Sequence, residues 1–265
     1  MKKQWRLILD GKLDGFTNMA CDEALLLAYH QTKIPVLRIY GWNPACISLG
    51  FAQEAEKVIK PESGLAFVRR ITGGSAILHD QEITYSLVCS LSDLDLPRGI
   101  KEAYRVLSSF LLRFYAKLGL KACFAKDLIS LGLGNYGNFC FSSFMHFDLI
   151  IKGKKIGGNA QRRRKDIIFQ HGSISQGLNR ARIRENILKA DNLDKVSCLN
   201  ELLQKDTGFK ELQAFLGESF RDEFSCEFFK SSLSEDELEL KKRLLEEKYQ
   251  KNEWNKIRGQ TCLAQ

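Results

Sequence analysis

The stretch Leu65-Ala66-Phe67-Val68-Arg69-Arg70-Ile71-Thr72-Gly73-Gly74-Ser75-Ala76-Ile77-Leu78-His79-Asp80-Gln81-Glu82-Ile83-Thr84-Tyr85-Ser86-Leu87-Val88-Cys89 decides the fold. Apolar runs at 65–69 and 76–78 flank a glycine turn, Thr72-Gly73-Gly74, and Ile83, Tyr85 and Leu87 alternate with Thr84 and Ser86 at the two-residue period of a strand. Upstream, Ala20, Ala24, Leu27 and Ala28 recur at helical spacing behind Thr17 and Asn18 as N-cap candidates, which predicts a helix ending near Gln31. Residues 36–40 and 46–49 read as strands around the turn residues Gly41, Asn43 and Pro44. Downstream, Ala103, Leu107, Phe110, Leu111, Phe114 and Leu118 form one helical stripe that should pack on a sheet. Residues 147–151, a Lys152-Gly153 turn and residues 154–156 read as a hairpin, followed by a strand at 167–170. Beyond Arg180 the pattern is helical, with Ser234 and Glu237 as a capping-box pair before a helix over 238–249. This order predicts an α+β fold: a mixed or antiparallel sheet flanked by helices.

A chain of 265 residues with 44% apolar content and a net charge of +8 has sequence enough for one large core, so disorder and disulfide-dense miniature folds are excluded. The expectation is one catalytic domain over 1–265, of which roughly 181–265 is a helical C-terminal part. Eight cysteines occur without a C-x-x-C pair and the histidines lack metal-ligand spacing, so no metal is expected. Met1-Lys2-Lys3-Gln4-Trp5 does not read as a cleavable leader, which points to a reducing cytoplasm. The longest apolar stretch, 24–29, is too short to span a membrane, so no membrane association is expected. Arg162-Arg163-Arg164-Lys165 has no interleaved aromatics for base stacking, so a nucleic-acid partner is not expected either.

Three segments concentrate reactive and glycine residues. In Arg69-Arg70-Ile71-Thr72-Gly73-Gly74-Ser75, the pair Gly73 and Gly74 lets backbone N–H groups approach a ligand, with Arg70 and His79 as added donors; the plain alternative is a tight turn with surface arginines. In Lys152-Gly153-Lys154-Lys155-Ile156-Gly157-Gly158-Asn159-Ala160-Gln161, a two-residue turn would pair Lys155 with Ile150 and put it on the face of Asp148. There it could donate to an acyl or phosphoryl oxygen, or simply be a solvated hairpin lysine. In Phe139-Cys140-Phe141-Ser142-Ser143, Cys140 could be a nucleophile if an ammonium lowers its pKa from the free value of about 8.5, or one more buried thiol. His171, followed by Gly172, could orient a substrate, shuttle a proton or serve structurally. Gly132-Leu133-Gly134-Asn135-Tyr136-Gly137 matches the dinucleotide fingerprint but no helical pattern follows it, so it reads as a loop.

Together with Asn18-Met19-Ala20-Cys21-Asp22-Glu23, Tyr40-Gly41-Trp42-Asn43-Pro44 and Trp254-Asn255, these segments resemble the biotin/lipoate protein ligase superfamily in its lipoate-assembly branch, over nearly the whole chain. Within it they are most similar to the LipM-type cysteine-dependent octanoyltransferases. The resemblance implies the catalytic-domain fold of that superfamily, with Cys140 as nucleophile and Lys155 as the motif lysine. It implies Arg70, Gly73, Gly74, His79, Gly158, Ala160, His171 and Gly172 as substrate-binding positions. It also implies an acyl transfer without cofactor, from octanoyl-acyl carrier protein to a lysine of a lipoyl-domain protein, either a glycine-cleavage H protein or a dehydrogenase E2 subunit. The sister octanoyltransferases place their cysteine just before the His-Gly pair, where this chain has Ile168. ATP-dependent lipoate ligation and non-catalytic carrier binding are the alternatives.

Overall fold

The computed structural model describes residues 3–130 and 147–256. In chain order the first half contains β1 (Gln4–Leu13), α1 (Gly15–Thr32), β2 (Val36–Trp42), β3 (Cys46–Leu49), β4 (Ala66–Arg69), β5 (Ile77–His79), β6 (Glu82–Ser90), α2 (Ile100–Lys117), β7 (Cys123–Phe124) and α3 (Ala125–Ser130). The second contains β8 (Leu149–Ile151), β9 (Lys154–Lys155), β10 (Gly157–Arg164), β11 (Ile167–Ser175), α4 (Arg180–Asn186), α5 (Leu199–Leu203), α6 (Phe209–Phe224), β12 (Glu227–Lys230), α7 (Glu235–Leu244) and α8 (Asn252–Lys256).

A mixed six-stranded sheet, ordered β10-β11-β6-β2-β1-β12, forms the centre. Its first four strands pair antiparallel, and β1 pairs parallel with both β2 and β12. Because successive side chains point to opposite faces, β2 divides its residues: Leu37 and Ile39 join the cluster formed with α2 and α6, while Val36 and Tyr40 join the cluster formed with α1 and α7. The stripe of α2 is fully buried at Ala103, Leu107, Phe110, Leu111 and Phe114, as its spacing predicts. Two small sheets complete the fold, β4-β3-β5 around the glycine turn and β7-β8-β9 around the hairpin.

Several local expectations are corrected. The N-cap of α1 is Asp14, whose carboxylate accepts from the Thr17 N–H at 3.0 Å and from its hydroxyl at 2.7 Å. The cap thus lies three residues before Thr17, and Gly15, the first residue of the helix, lies against Cys46, where a Cβ would sit 2.4 Å from the sulfur. Residues 157–164, between the expected hairpin and the strand expected at 167–170, form a further strand, and β12 interrupts the C-terminal part expected to be helical. The Ser234 and Glu237 capping box is present, but the helix it starts ends at Leu244 and continues as a π-helical turn, Leu245–Tyr249. There Lys248 Nζ and Tyr249 Oη both reach the carboxylate of Glu23, tying the C-terminal elements to α1.

Candidate active site

The lysine hairpin has the predicted register, with Ile150 opposite Lys155 and Ile151 opposite Lys154. Lys152 and Gly153 both have positive φ, 48° and 76°, as a two-residue turn that follows the strand twist requires. Lys155 Nζ then lies 2.7 Å from Asp148 Oδ2; Asp148 is 3% exposed, whereas the lysine side chain is 27% exposed. A buried carboxylate thus aims an ammonium that still reaches solvent.

The glycine turn is built differently. Arg70 is buried and spends its guanidinium on the turn: Nε and Nη2 donate to the Gly73 carbonyl, Nη2 to the Ser75 carbonyl at 2.8 Å, and Nη1 to both oxygens of Ser48. Burial pulls its pKa down to about 10. Gly74 has φ 94°, a conformation that suits glycine. A Cβ on Gly73 would meet nothing within 4 Å, and no hydrogen bond among the described residues uses the backbone N–H of Gly73, Gly74 or Ser75. Among the described residues the turn therefore leaves three amides unengaged, the arrangement that receives an anionic or carbonyl oxygen.

Arg69, 0% exposed, anchors the strand that leads into this turn. Its guanidinium donates to the carbonyls of Gly50, Phe51, Gln53, Trp254 and Asn255. Asn255 Oδ1 accepts from the Arg69 N–H, and the Trp254 indole donates to the Arg69 carbonyl. Five carbonyl dipoles solvate this cation in place of water.

The remaining motif residues meet across β10 and β11, where Gly158 opposes Ser173, Asn159 opposes Gly172 and Ala160 opposes His171. Gly172 is required here, since a Cβ would fall 1.9 Å from Asn159 Oδ1 and 2.5 Å from the Tyr85 ring. Tyr85 Oη donates to Asn159 Oδ1 and accepts from Gln170, while Tyr104 Oη donates to the Asn159 carbonyl. A Cβ on Gly158 would face the Ile77 side chain of β5 at 3.7 Å, and Arg162 donates to the Ile71 carbonyl. The lysine motif and the glycine turn therefore meet on the same sheet edge.

Both motif histidines lie beneath the turn. His171 Nε2 is 2.6 Å from Thr72 Oγ1 and its Nδ1 is 3.7 Å from Asp22 Oδ2. Burial holds the His171 pKa below its ordinary value, against the opposing pull of Asp22. Asp22 is itself buried, which alone would raise its pKa, but His171, Arg38 and Ser86 hold the carboxylate below its usual range. His79 Nδ1 is 2.7 Å from Glu82, its Nε2 is 2.7 Å from Ser48 Oγ, and its ring stacks on Trp42 at 3.8 Å.

Asp22, Ser48, Thr72 and Glu82 were not singled out by sequence. The polar members of β6, Glu82, Thr84 and Ser86, read as a solvated face, yet all three are buried and bonded. Asn18 and Asp22, one helical turn apart on the same face of α1, were the available signal for Asp22. Cys140 and the run Gly132 to Gly137 lie outside the described residues. Among the described residues no cluster of His, Cys, Asp or Glu is arranged to hold a metal ion, and no helix is long and apolar enough to cross a membrane.

Residues 14–221 match the model of the lipoyl protein ligase A/B catalytic domain. The chain is 38% identical to octanoyltransferase LipM of Bacillus subtilis, over 96% of this chain and 98% of that one. It is 36% identical to octanoyltransferase LipM of Anoxybacillus flavithermus with the same coverage. Among solved structures, a bipartite lipoate protein ligase of Thermoplasma acidophilum superposes with a TM-score of 0.80 at 21% identity, covering 98% of this chain and 99% of that one. A lipoate-protein ligase A bound with ATP superposes at 0.79 with 23% identity, covering 95% and 98%. At those identities the structures speak for the fold alone.

Proposed function

The chain belongs to the lipoyl protein ligase A/B catalytic-domain family, and we propose that this protein is an octanoyltransferase of protein lipoylation that carries the acyl group on Cys140. The observation that carries the activity is the end-to-end similarity to octanoyltransferases at up to 38% identity. Residues 1–265 act as one catalytic unit. The donor is octanoyl-acyl carrier protein and the acceptor a lysine of a lipoyl domain, in an H protein or an E2 subunit.

In the first step the Cys140 thiolate attacks the octanoyl thioester carbonyl. The new C–S bond forms as the carrier C–S bond breaks, and the carrier thiolate leaves and takes a proton. In the second, the neutral acceptor amine attacks the enzyme thioester, a C–N bond replaces the C–S bond, and the proton lost by nitrogen returns the cysteine to its thiol form. The first exchange is nearly balanced and amide formation drives the second.

Lys155, aimed by Asp148, stabilises the thiolate and donates to the acyl carbonyl. The amides of the Gly73-Gly74 turn, which bond to no other described residue, stabilise the tetrahedral oxyanion. Arg70 and His79 support that turn, and Gly158, Ala160, His171 and Gly172 form the adjoining substrate-binding wall.

Incubation with octanoyl-acyl carrier protein, followed by intact-mass and peptide mass spectrometry, tests this reading. The expected result is one octanoyl adduct on Cys140, discharged by a lipoyl domain without ATP. Transfer that survives Cys140→Ala, or that requires ATP, overturns it in favour of a ligase; carrier binding without any adduct overturns it in favour of a non-catalytic role.

A further inference from the structure

Two polar chains run from buried carboxylates to the glycine turn. One is Asp22, His171, Thr72, and the other is Glu82, His79, Ser48, Arg70. Their donor order follows from chemistry alone. Arg70 can only donate, so Ser48 Oγ accepts from it at 3.1 Å and its own proton is left for His79 Nε2, while His79 Nδ1–H points at Glu82. In the other chain His171 Nδ1 lies 3.7 Å from Asp22 Oδ2, an ion-pair rather than a hydrogen-bond distance, and the nearby carboxylate favours the tautomer with its proton on Nδ1, which leaves Nε2 to accept the Thr72 hydroxyl proton at 2.6 Å. Thr72 is 1% exposed and its carbonyl accepts from the Phe51 N–H at 2.8 Å, so both its backbone and its side chain are fixed immediately before Gly73.

We infer that Thr72, through His171 and Asp22, is a positioning residue for acyl transfer: the Asp22–His171–Thr72 chain sets the direction in which the amides of Gly73, Gly74 and Ser75 face the acyl oxygen. The inference rests on the acyl-transfer reading above. The chain moves no proton during the reaction. Its work is geometric, and the turn needs it because Gly73 and Gly74 have no side chains with which to hold themselves. The second chain grips the other side of the same turn through the carbonyls of Gly73 and Ser75. The turn is thereby clamped at its carbonyls and at its leading side chain, while its amides stay available.

The test has two arms. The first compares wild type with Thr72→Val and Thr72→Ser, using octanoyl-acyl carrier protein and a lipoyl domain. Valine keeps the shape and deletes the hydroxyl. The expected result is a fall in kcat of about 10- to 100-fold with KM for the donor within twofold, as for displaced transition-state donors, and recovery of most of the rate in Thr72→Ser. Wild-type kcat in Thr72→Val, or an equal defect in Thr72→Ser, overturns the inference. If the wild type itself transfers no octanoyl group, the acyl-transfer reading fails and the second arm still decides the clamp.

That arm is nitrogen NMR of wild-type protein labelled at its four histidines, near pH 7. His171 should show the neutral Nδ1–H tautomer with a slowly exchanging ring proton, and Thr72→Val should shift its Nε2 resonance. An Nε2–H tautomer at His171, or no response to Thr72→Val, overturns the inference whatever the activity.

Discussion

On the proposed acyl-transfer reading the glycine turn and the lysine hairpin face the same chemistry, but they are held in opposite ways. Around Thr72 to Ser75, Arg70 holds the carbonyls of Gly73 and Ser75, the Phe51 N–H holds that of Thr72, and His171 holds the Thr72 hydroxyl. Lys155 instead sits on a strand of two residues, opposite one of three, and its side chain is directed by the single carboxylate of Asp148. The turn's donors are useful only if they are already aligned when charge develops on the acyl oxygen. On the same reading the lysine follows a group that changes from thiolate to thioester and back, which suits a partly solvated ammonium whose one ion pair among the described residues is with Asp148. Rigidity and adjustability are thus divided between the two halves of one site.

Substitutions can break this division or sharpen it. Lys155→Ala should show the largest effect, a loss of about 10²- to 10⁴-fold in transfer rate with a melting temperature close to that of wild type; a large drop in melting temperature would show that the hairpin is structural after all. Arg69→Ala should do the reverse and act first on stability, costing about 3–5 kcal/mol in denaturant titrations, because five carbonyls lose the donor group that satisfies them. Gly172→Ala should also destabilise strongly, since its Cβ would overlap Asn159, whereas Gly73→Ala should stay within about 0.5 kcal/mol of wild type yet slow transfer by placing a methyl group over the free amides. Asp148→Asn should slow transfer by about tenfold and leave donor binding intact, as measured by separate kcat and KM.

The smallest effect expected is in the pH dependence of stability. The His171 pKa is depressed in the folded protein by burial, so the unfolded chain binds the extra proton first, and stability falls as pH drops below about 6.5, the ordinary histidine value. Melting temperatures between pH 7.5 and 5.5 should decline in wild type and decline less in His171→Gln. Equal slopes would show that His171 does not titrate with folding.

The alternating pattern of 82–89, the α2 stripe and the Lys152-Gly153 turn were legible because each is a local rule: a period, or a pair of positive-φ residues. The register that puts Lys155 opposite Ile150 followed from turn length alone. What stayed hidden depended on distant partners. Glu82, Thr84 and Ser86 look like a wet face until His79, Trp42, Asp22 and Ser173 are brought against them, and Arg69 looks like a surface charge until residues 50–53 and 254–255 surround it. β12 was missed because its four residues belong to a strand only where β1 supplies the neighbour. Of the motif glycines, Gly73 is open above its backbone while Gly172 is packed tightly, and sequence does not distinguish the two.

The bond between Arg69 and the C-terminal helix also sets an order in time. Its partners Trp254 and Asn255 follow it by 185 and 186 residues, a span that a growing chain needs roughly ten seconds or more to synthesise at about 5–20 residues per second. Until residue 255 has left the ribosome, the strand leading into the glycine turn lacks four of its hydrogen bonds. A nascent chain can fold its hairpin and display its lysine well before the glycine turn is fixed, so the protein acquires its most tightly anchored turn last.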